Sequence, residues 1–179
     1  MNIELRNNQA TISGYVNAVE RDSKLLTGKG GKFIERVKQG TFAKALERNP
    51  VGLKFNHVRS LQPLEMHLEE DAIGLKCTCV VDDAEVLQAI ENNELRGWSF
   101  GMSVNKDSWT TRDDGVRVRT LEDINLGEVS ILTITPAYDA TVIECRSLDD
   151  ENISIDKQED DGYNKLKQLK LKTEFELIK

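Results

Sequence analysis

Gly97-Trp98-Ser99-Phe100-Gly101 is the stretch on which the fold assignment turns. A Gly-x-Ser-x-Gly pattern presents a serine on a tight turn as a nucleophile. Glycines on either side of a serine also mark bulges and bends in an ordinary strand. A serine hydroxyl attacks only when a base takes its proton, and that base is usually histidine. The chain has two histidines, His57 and His67, both upstream of Ser99. The α/β-hydrolases that commonly carry this pattern run Ser, then Asp or Glu, then His. No histidine follows Ser99, so a catalytic Ser99 belongs to a different fold.

The flanking segments agree. Residues 2–20 predict an opening hairpin, with Asn7-Asn8 as its turn. Residues 21–32, with Thr27-Gly28-Lys29-Gly30-Gly31-Lys32, read as a flexible surface loop without the spacing of a phosphate-binding loop. Thr41 is placed to cap a short helix through Arg48, which Asn49-Pro50 stops. Val51, Leu53 and Phe55 alternate as a strand, and Gly74 to Val81 is another. Asp82 or Asp83 caps a helix through about Glu94. A strand from about Trp98 to Val104 carries Ser99, and Asp113-Asp114-Gly115 is a hairpin turn. Residues 124–134 form a buried strand that Pro136 ends, and Ala140 to Glu144 adds a short one. Many short strands with few helices, and no βαβ alternation, predict an α+β fold: a mainly antiparallel β-barrel or sheet core with a few flanking helices.

The chain has 179 residues, 39% of them hydrophobic, which suits one packed domain with an appendage. Composition divides it into a domain over 1–146, an acidic linker over 147–162 and a C-terminal helix over 163–179. The net charge of −7 argues against duplex nucleic acid as a partner. No apolar run is long enough for a transmembrane helix, and the N-terminus has no secretory h-region. Three cysteines, Cys77, Cys79 and Cys145, without an export signal, read as reduced thiols in a cytosolic setting. Cys-Thr-Cys is not a metal knuckle; on a strand, Leu75, Cys77, Cys79 and Val81 share one face as small core residues.

His57 closes Phe55-Asn56-His57, directly after a strand, where rigid frames present reactive groups. His67 sits among acids at an exposed strand position, a weaker candidate base. Glu128 lies in Leu126-Gly127-Glu128-Val129-Ser130, inside an apolar strand. A carboxylate there is expensive to bury unless paired, either in a structural ion pair or with His57. Asp123 and Asp139 look solvated, and Trp98 shapes a pocket or packs in the core.

Taken together these pieces resemble the prohead maturation proteases of tailed bacteriophages, whose fold is related to the herpesvirus assemblin proteases. The likeness runs from about Ser13 to Val142. It is carried by Gly14-Tyr15, Gly40-Thr41-Phe42, Phe55-Asn56-His57, Leu95-Arg96-Gly97-Trp98-Ser99-Phe100-Gly101, Leu126-Gly127-Glu128-Val129-Ser130 and Thr135-Pro136-Ala137-Tyr138. The resemblance implies an assemblin-like serine endopeptidase with Ser99 as nucleophile, His57 as base and Glu128 in the third place. The herpesvirus relatives have a second histidine there, and arginines after it near the oxyanion site. No arginine follows closely after Glu128, which leaves backbone N–H groups near Ser99 as the default oxyanion donors. The implied substrate is a capsid or scaffolding protein, or the chain itself within 147–162. The implied setting is the assembling prohead in the bacterial host cytoplasm. No metal or organic cofactor is called for, and a homodimer or assembly-dependent oligomer is expected, with neither nucleic acid nor membrane as partner. The competing expectations are an inactive capsid-assembly or scaffolding module and a small-molecule esterase.

Overall fold

A computed structural model describes residues 1–28 and 30–134, with the backbone of 145–147 and 154–155. In chain order the elements are β1 (Asn2–Arg6), β2 (Gln9–Ala18), β3 (Leu26–Gly28), β4 (Gly31–Val37), α1 (Thr41–Leu46), β5 (Gly52–Phe55), β6 (Arg59–Leu61), β7 (Glu65–Glu70), β8 (Gly74–Val81), α2 (Ala84–Glu91), β9 (Gly97–Thr111), β10 (Arg117–Leu132), β11 (Cys145–Ser147) and β12 (Ser154–Ile155). The result is mostly β with two short helices, as expected. A four-stranded antiparallel sheet runs β1-β2-β8-β7. An eight-stranded sheet, curled into a half-barrel, runs β11-β9-β10-β4-β3-β12, with β5 and β6 joined to β10 through β5.

Local chemistry sets the hairpins. Asn7 and Asn8 both take positive φ, 48° and 62°, as a two-residue turn that matches strand twist requires. β9 and β10 join through the predicted Asp113-Asp114-Gly115 turn, where Gly115 has φ 82°. Here the Asp114 carboxylate accepts from the Val116 N–H at 3.0 Å.

β10 is the organising strand. It pairs antiparallel with β9 along its length, and parallel with β4 over Arg117–Leu121 and with β5 over Glu128–Ile131. The sheet is therefore mixed rather than purely antiparallel. Two parallel neighbours fit on one side because β4 and β5 are short and are joined through α1. Phe42 of α1 meets Phe100 of β9 edge to face at 5.3 Å, and the Thr41 hydroxyl donates to the Leu121 carbonyl at 3.3 Å.

The core lies on one face of β9 and β10, where Trp98, Phe100, Met102, Val129 and Ile131 cluster with Ile12, Leu75, Cys77 and Cys79. Trp98 is thus a core residue. Gly14 of β2 crosses it closely: a Cβ there would lie 3.1 Å from Trp98 Nε1. Leu75, Cys77, Cys79 and Val81 are all buried, as their shared face predicts, and Cys77 and Cys79 are free thiols.

Other expectations change. Residues 21–32 are not simply a loop; β3 and β4 form a hairpin across Gly28 and Gly31. Gly31 serves the turn, with φ 98°. Thr41 is not the cap of α1. Gly40 occupies that position at φ 85°, and the Glu70 carboxylate of β7 accepts from the Gly40 and Ala43 N–H groups at 2.6 Å each. The strand around Ser99 extends to Thr111, and the buried strand begins at Arg117. Asp123 is not a free solvated acid but pairs with Arg48 at 2.5 Å. The strand at 140–144, Asp139, the acidic linker and the C-terminal helix lie outside the described residues, apart from the backbone of β11 and β12.

The second helix is capped as predicted, with Asp83 accepting from the Glu85 and Val86 N–H groups at 3.1 Å each. Arg59 adds a bidentate contact at 2.6 and 2.8 Å. Its guanidinium, with those N–H groups, lowers the Asp83 carboxyl to about 2 despite partial burial. Asp83→Ala should cost about 1–2 kcal/mol in urea unfolding at pH 7. A depressed carboxyl contributes above its unfolded pKa, so the gap between wild type and variant should close as pH falls from ~4 toward 2. A gap that stays constant over that range contradicts the assignment.

Candidate active site

The second face of the eight-stranded sheet carries the polar residues. Residues paired across neighbouring strands project to the same side. Lys54 of β5, Ser130 of β10 and Ser99 of β9 form one such row. Gly52, Glu128 and Gly101 form the next.

Glu128 reaches this face through a bulge. Leu126 pairs with Met102, yet Glu128 pairs with Gly101, so two steps on β10 match one on β9 and Gly127 is the extra residue. Without it, Glu128 would follow Leu126 toward the core. The glycine on the β9 side leaves the carboxylate room. At Gly101 a Cβ would lie 2.8 Å from Glu128 Cγ and 3.1 Å from its Oε1. The second glycine of Gly97-Trp98-Ser99-Phe100-Gly101 therefore serves the acid, not the exposure of the serine.

His57 sits in the tight turn from β5 to β6. Asn56 and His57 have φ 51° and 61°, a left-handed pair that costs free energy in residues other than glycine. Asn56 anchors the turn to the end of β10. Its N–H donates to the Ile131 carbonyl at 2.9 Å, its Nδ2 donates to Thr133 Oγ1 at 3.0 Å, and its Oδ1 accepts from the Thr133 N–H at 2.9 Å. The ring is thereby aimed over the sheet. His57 Nδ1 lies 2.6 Å from Glu128 Oε1, with both side chains at most 10% exposed.

Burial pushes the Glu128 carboxyl up, but the hydrogen bond from His57 and the Lys54 ammonium outweigh it and hold the group below its ordinary range. Glu128 is consequently a carboxylate, an acceptor only, and Nδ1 must carry the proton between them. In the neutral ring that leaves Nε2, which is buried, without a proton. Lys54 Nζ is 2.5 Å from Glu128 Oε2, and the Ser130 hydroxyl donates to Oε1 at 3.3 Å.

The structure thus brings His57 and Glu128 into contact and sets Ser99 on the same face of the sheet, one strand from Ser130. Ser99 is fully buried. His67 is elsewhere, on β7, with a side chain 71% exposed and 3.6 Å from Glu69. Sequence reasoning missed Lys54, Ser130 and the purpose of Gly101 and Gly127. The signal for the bulge is present, because the apolar positions Leu126, Val129 and Ile131 break strict alternation at the glycine. Among the described residues no cluster of three or more His, Cys, Asp or Glu is placed to hold a metal ion.

Residues 1–154 match the model of the Caudovirus prohead serine proteases. The chain belongs to that family. No curated protein and no solved structure matches it. Membership extends the earlier resemblance to nearly the whole described chain, with His57, Ser99 and Glu128 inside the matched span. Phage capsid maturation is accordingly the setting of this prohead protease relative.

Gly101→Ala tests how the acid is seated. A methyl group at that position should displace Glu128 and break its hydrogen bond with His57, while overpacking costs about 1–3 kcal/mol of stability. The expected result in proton NMR is loss of the far-downfield Nδ1–H signal from a folded protein. Retention of that signal unchanged contradicts the seating.

Proposed function

We propose that this chain is a serine endopeptidase acting on capsid or scaffolding polypeptide in an immature phage head. The observation that carries the reading is the 2.6 Å contact between His57 Nδ1 and Glu128 Oε1 on the face that bears Ser99. His57 Nε2 takes the Ser99 proton as Oγ attacks the scissile carbonyl. Glu128 fixes the tautomer and offsets the charge of the imidazolium that forms. The imidazolium then returns the proton to the leaving amine, and water releases the acyl-enzyme by the same steps in reverse. Backbone N–H groups near Ser99 are the proposed oxyanion donors. No step in this scheme calls for a metal or an organic cofactor.

The same proposal places the reaction in the host cytoplasm, within the assembling head. Among the described residues no helix is long and apolar enough to cross a membrane. Self-cleavage within 147–162 is part of the reading, because an acidic stretch poor in apolar residues suits proteolysis. The burial of Ser99 adds a condition: a peptide reaches it only after the site is uncovered. Activity tied to dimerisation or to assembly meets that condition. The same burial is the one observation that favours an inactive assembly module.

Labelling with a small fluorophosphonate separates the two. The expected outcome is a single adduct on Ser99, mapped by mass spectrometry. Its rate should fall about 10³-fold or more in His57→Ala, and by a comparable order in Glu128→Gln, whose amide favours the wrong tautomer. A folded wild-type protein that takes no label in monomeric or assembled form overturns the enzyme reading in favour of the module.

A further inference from the structure

Glu128 presents an electrostatic problem that the family assignment does not solve. Its side chain is 10% exposed and its hydrogen-bonded partner is the His57 ring, which carries no charge when it acts as a base. A carboxylate and a neutral imidazole together hold one uncompensated negative charge away from water, which is costly. The cheapest relief is uptake of a proton by the pair. That proton would occupy the base before any substrate arrives.

Lys54 removes the problem. It stands on β5 in the row that contains Ser130 and Ser99, so its side chain rises on the face of the serine. The Nζ atom contacts Glu128 Oε2 at 2.5 Å, while Oε1 faces His57 at 2.6 Å. The two oxygens are thus divided between two partners. Among the described side chains the titratable groups facing Glu128 are Lys54 on β5 and His57 on the turn after it; β9 offers Gly101, β10 the neutral Ser130, and the β11 backbone pairs Arg146 with Gly101. With Lys54 charged, the resting group of Glu128, Lys54 and His57 sums to zero and Nε2 stays bare.

We propose that Lys54 is a positioning residue of the reaction: by pairing with Glu128 Oε2 it turns Oε1 to His57 and keeps the imidazole unprotonated at rest. This rests on the reading of Ser99 and His57 as nucleophile and base. The bland alternative is a partly exposed ion pair that only adds a little stability. The two differ in pH dependence. His57 and Glu128 are in direct contact at 2.6 Å. Removing a fixed positive charge in contact raises the proton affinity of the pair, whichever member binds the proton, by roughly one unit.

The experiment is the pH profile of fluorophosphonate labelling for wild type, Lys54→Met, Lys54→Gln and Lys54→Arg, with the Nδ1–H signal of His57 followed by NMR over the same range. In both neutral variants the acidic limb of labelling should move up by about one pH unit, so that labelling below it is roughly tenfold slower than wild type. The pH at which the Nδ1–H signal changes should move with it, and Lys54→Arg should restore both. A limb that stays in place, with labelling slowed equally at every pH or unchanged, overturns the proposal. Wild type that takes no label is a failure of the protease reading itself, and the NMR titration then decides. An upward shift in the neutral variants keeps the placing role of Lys54, and no shift removes it.

Discussion

A carboxylate set inside a β-sheet persists only where donors and cations reach it, and the architecture around Glu128 meets that requirement from three strands. β10 supplies the acid and, through the bulge at Gly127, turns it away from the core. β9 contributes a glycine where any larger residue would strike the side chain. β5 contributes Gly52 beside it, Lys54 diagonally, and the turn that bears His57. None of these groups would be where it is with a register one residue different, because such a slip exchanges the two faces of a strand.

The same logic explains why a long strand with two parallel neighbours sits at the centre. β10 pairs with β4 at one end and β5 at the other, leaving its second edge to β9. The acid and the serine therefore sit on adjacent strands of one sheet and the histidine in the turn that follows the next strand, with the core packed behind them through Phe100, Val129 and Ile131. Asn56 fixes the remaining freedom, tying the histidine turn to Thr133 and Ile131 through backbone and side chain. Strain in the left-handed Asn56-His57 pair is held by those bonds, a pattern common where a side chain must be aimed.

Much of this was legible from the sequence, for identifiable reasons. Local signals held: Asn7-Asn8 and Asp113-Asp114-Gly115 as turns, Asp83 as a cap, and the period-two core face of Leu75 to Val81. Glu128 was legible because an acid in an apolar strand demands a partner. Ser99 was noticed through its glycines, although Gly101 proves to make room for Glu128. The misses are non-local. That Glu70 caps α1 from another strand depends on tertiary approach. Glycines between 27 and 31 suggested a loop because a tight hairpin turn and a flexible segment share their composition. Lys54 looked like the polar half of an alternating strand, and only the parallel register with β10 shows that it faces the acid.

The central claim is that His57, held by Glu128, serves Ser99. A crystal structure of the fluorophosphonate-treated protein tests it most directly. The account predicts phosphorus bonded to Ser99 Oγ, His57 Nε2 within hydrogen-bond distance of an oxygen on the adduct, and the contact between His57 and Glu128 intact. An adduct on another residue, or one on Ser99 with the His57 ring turned away, would contradict it.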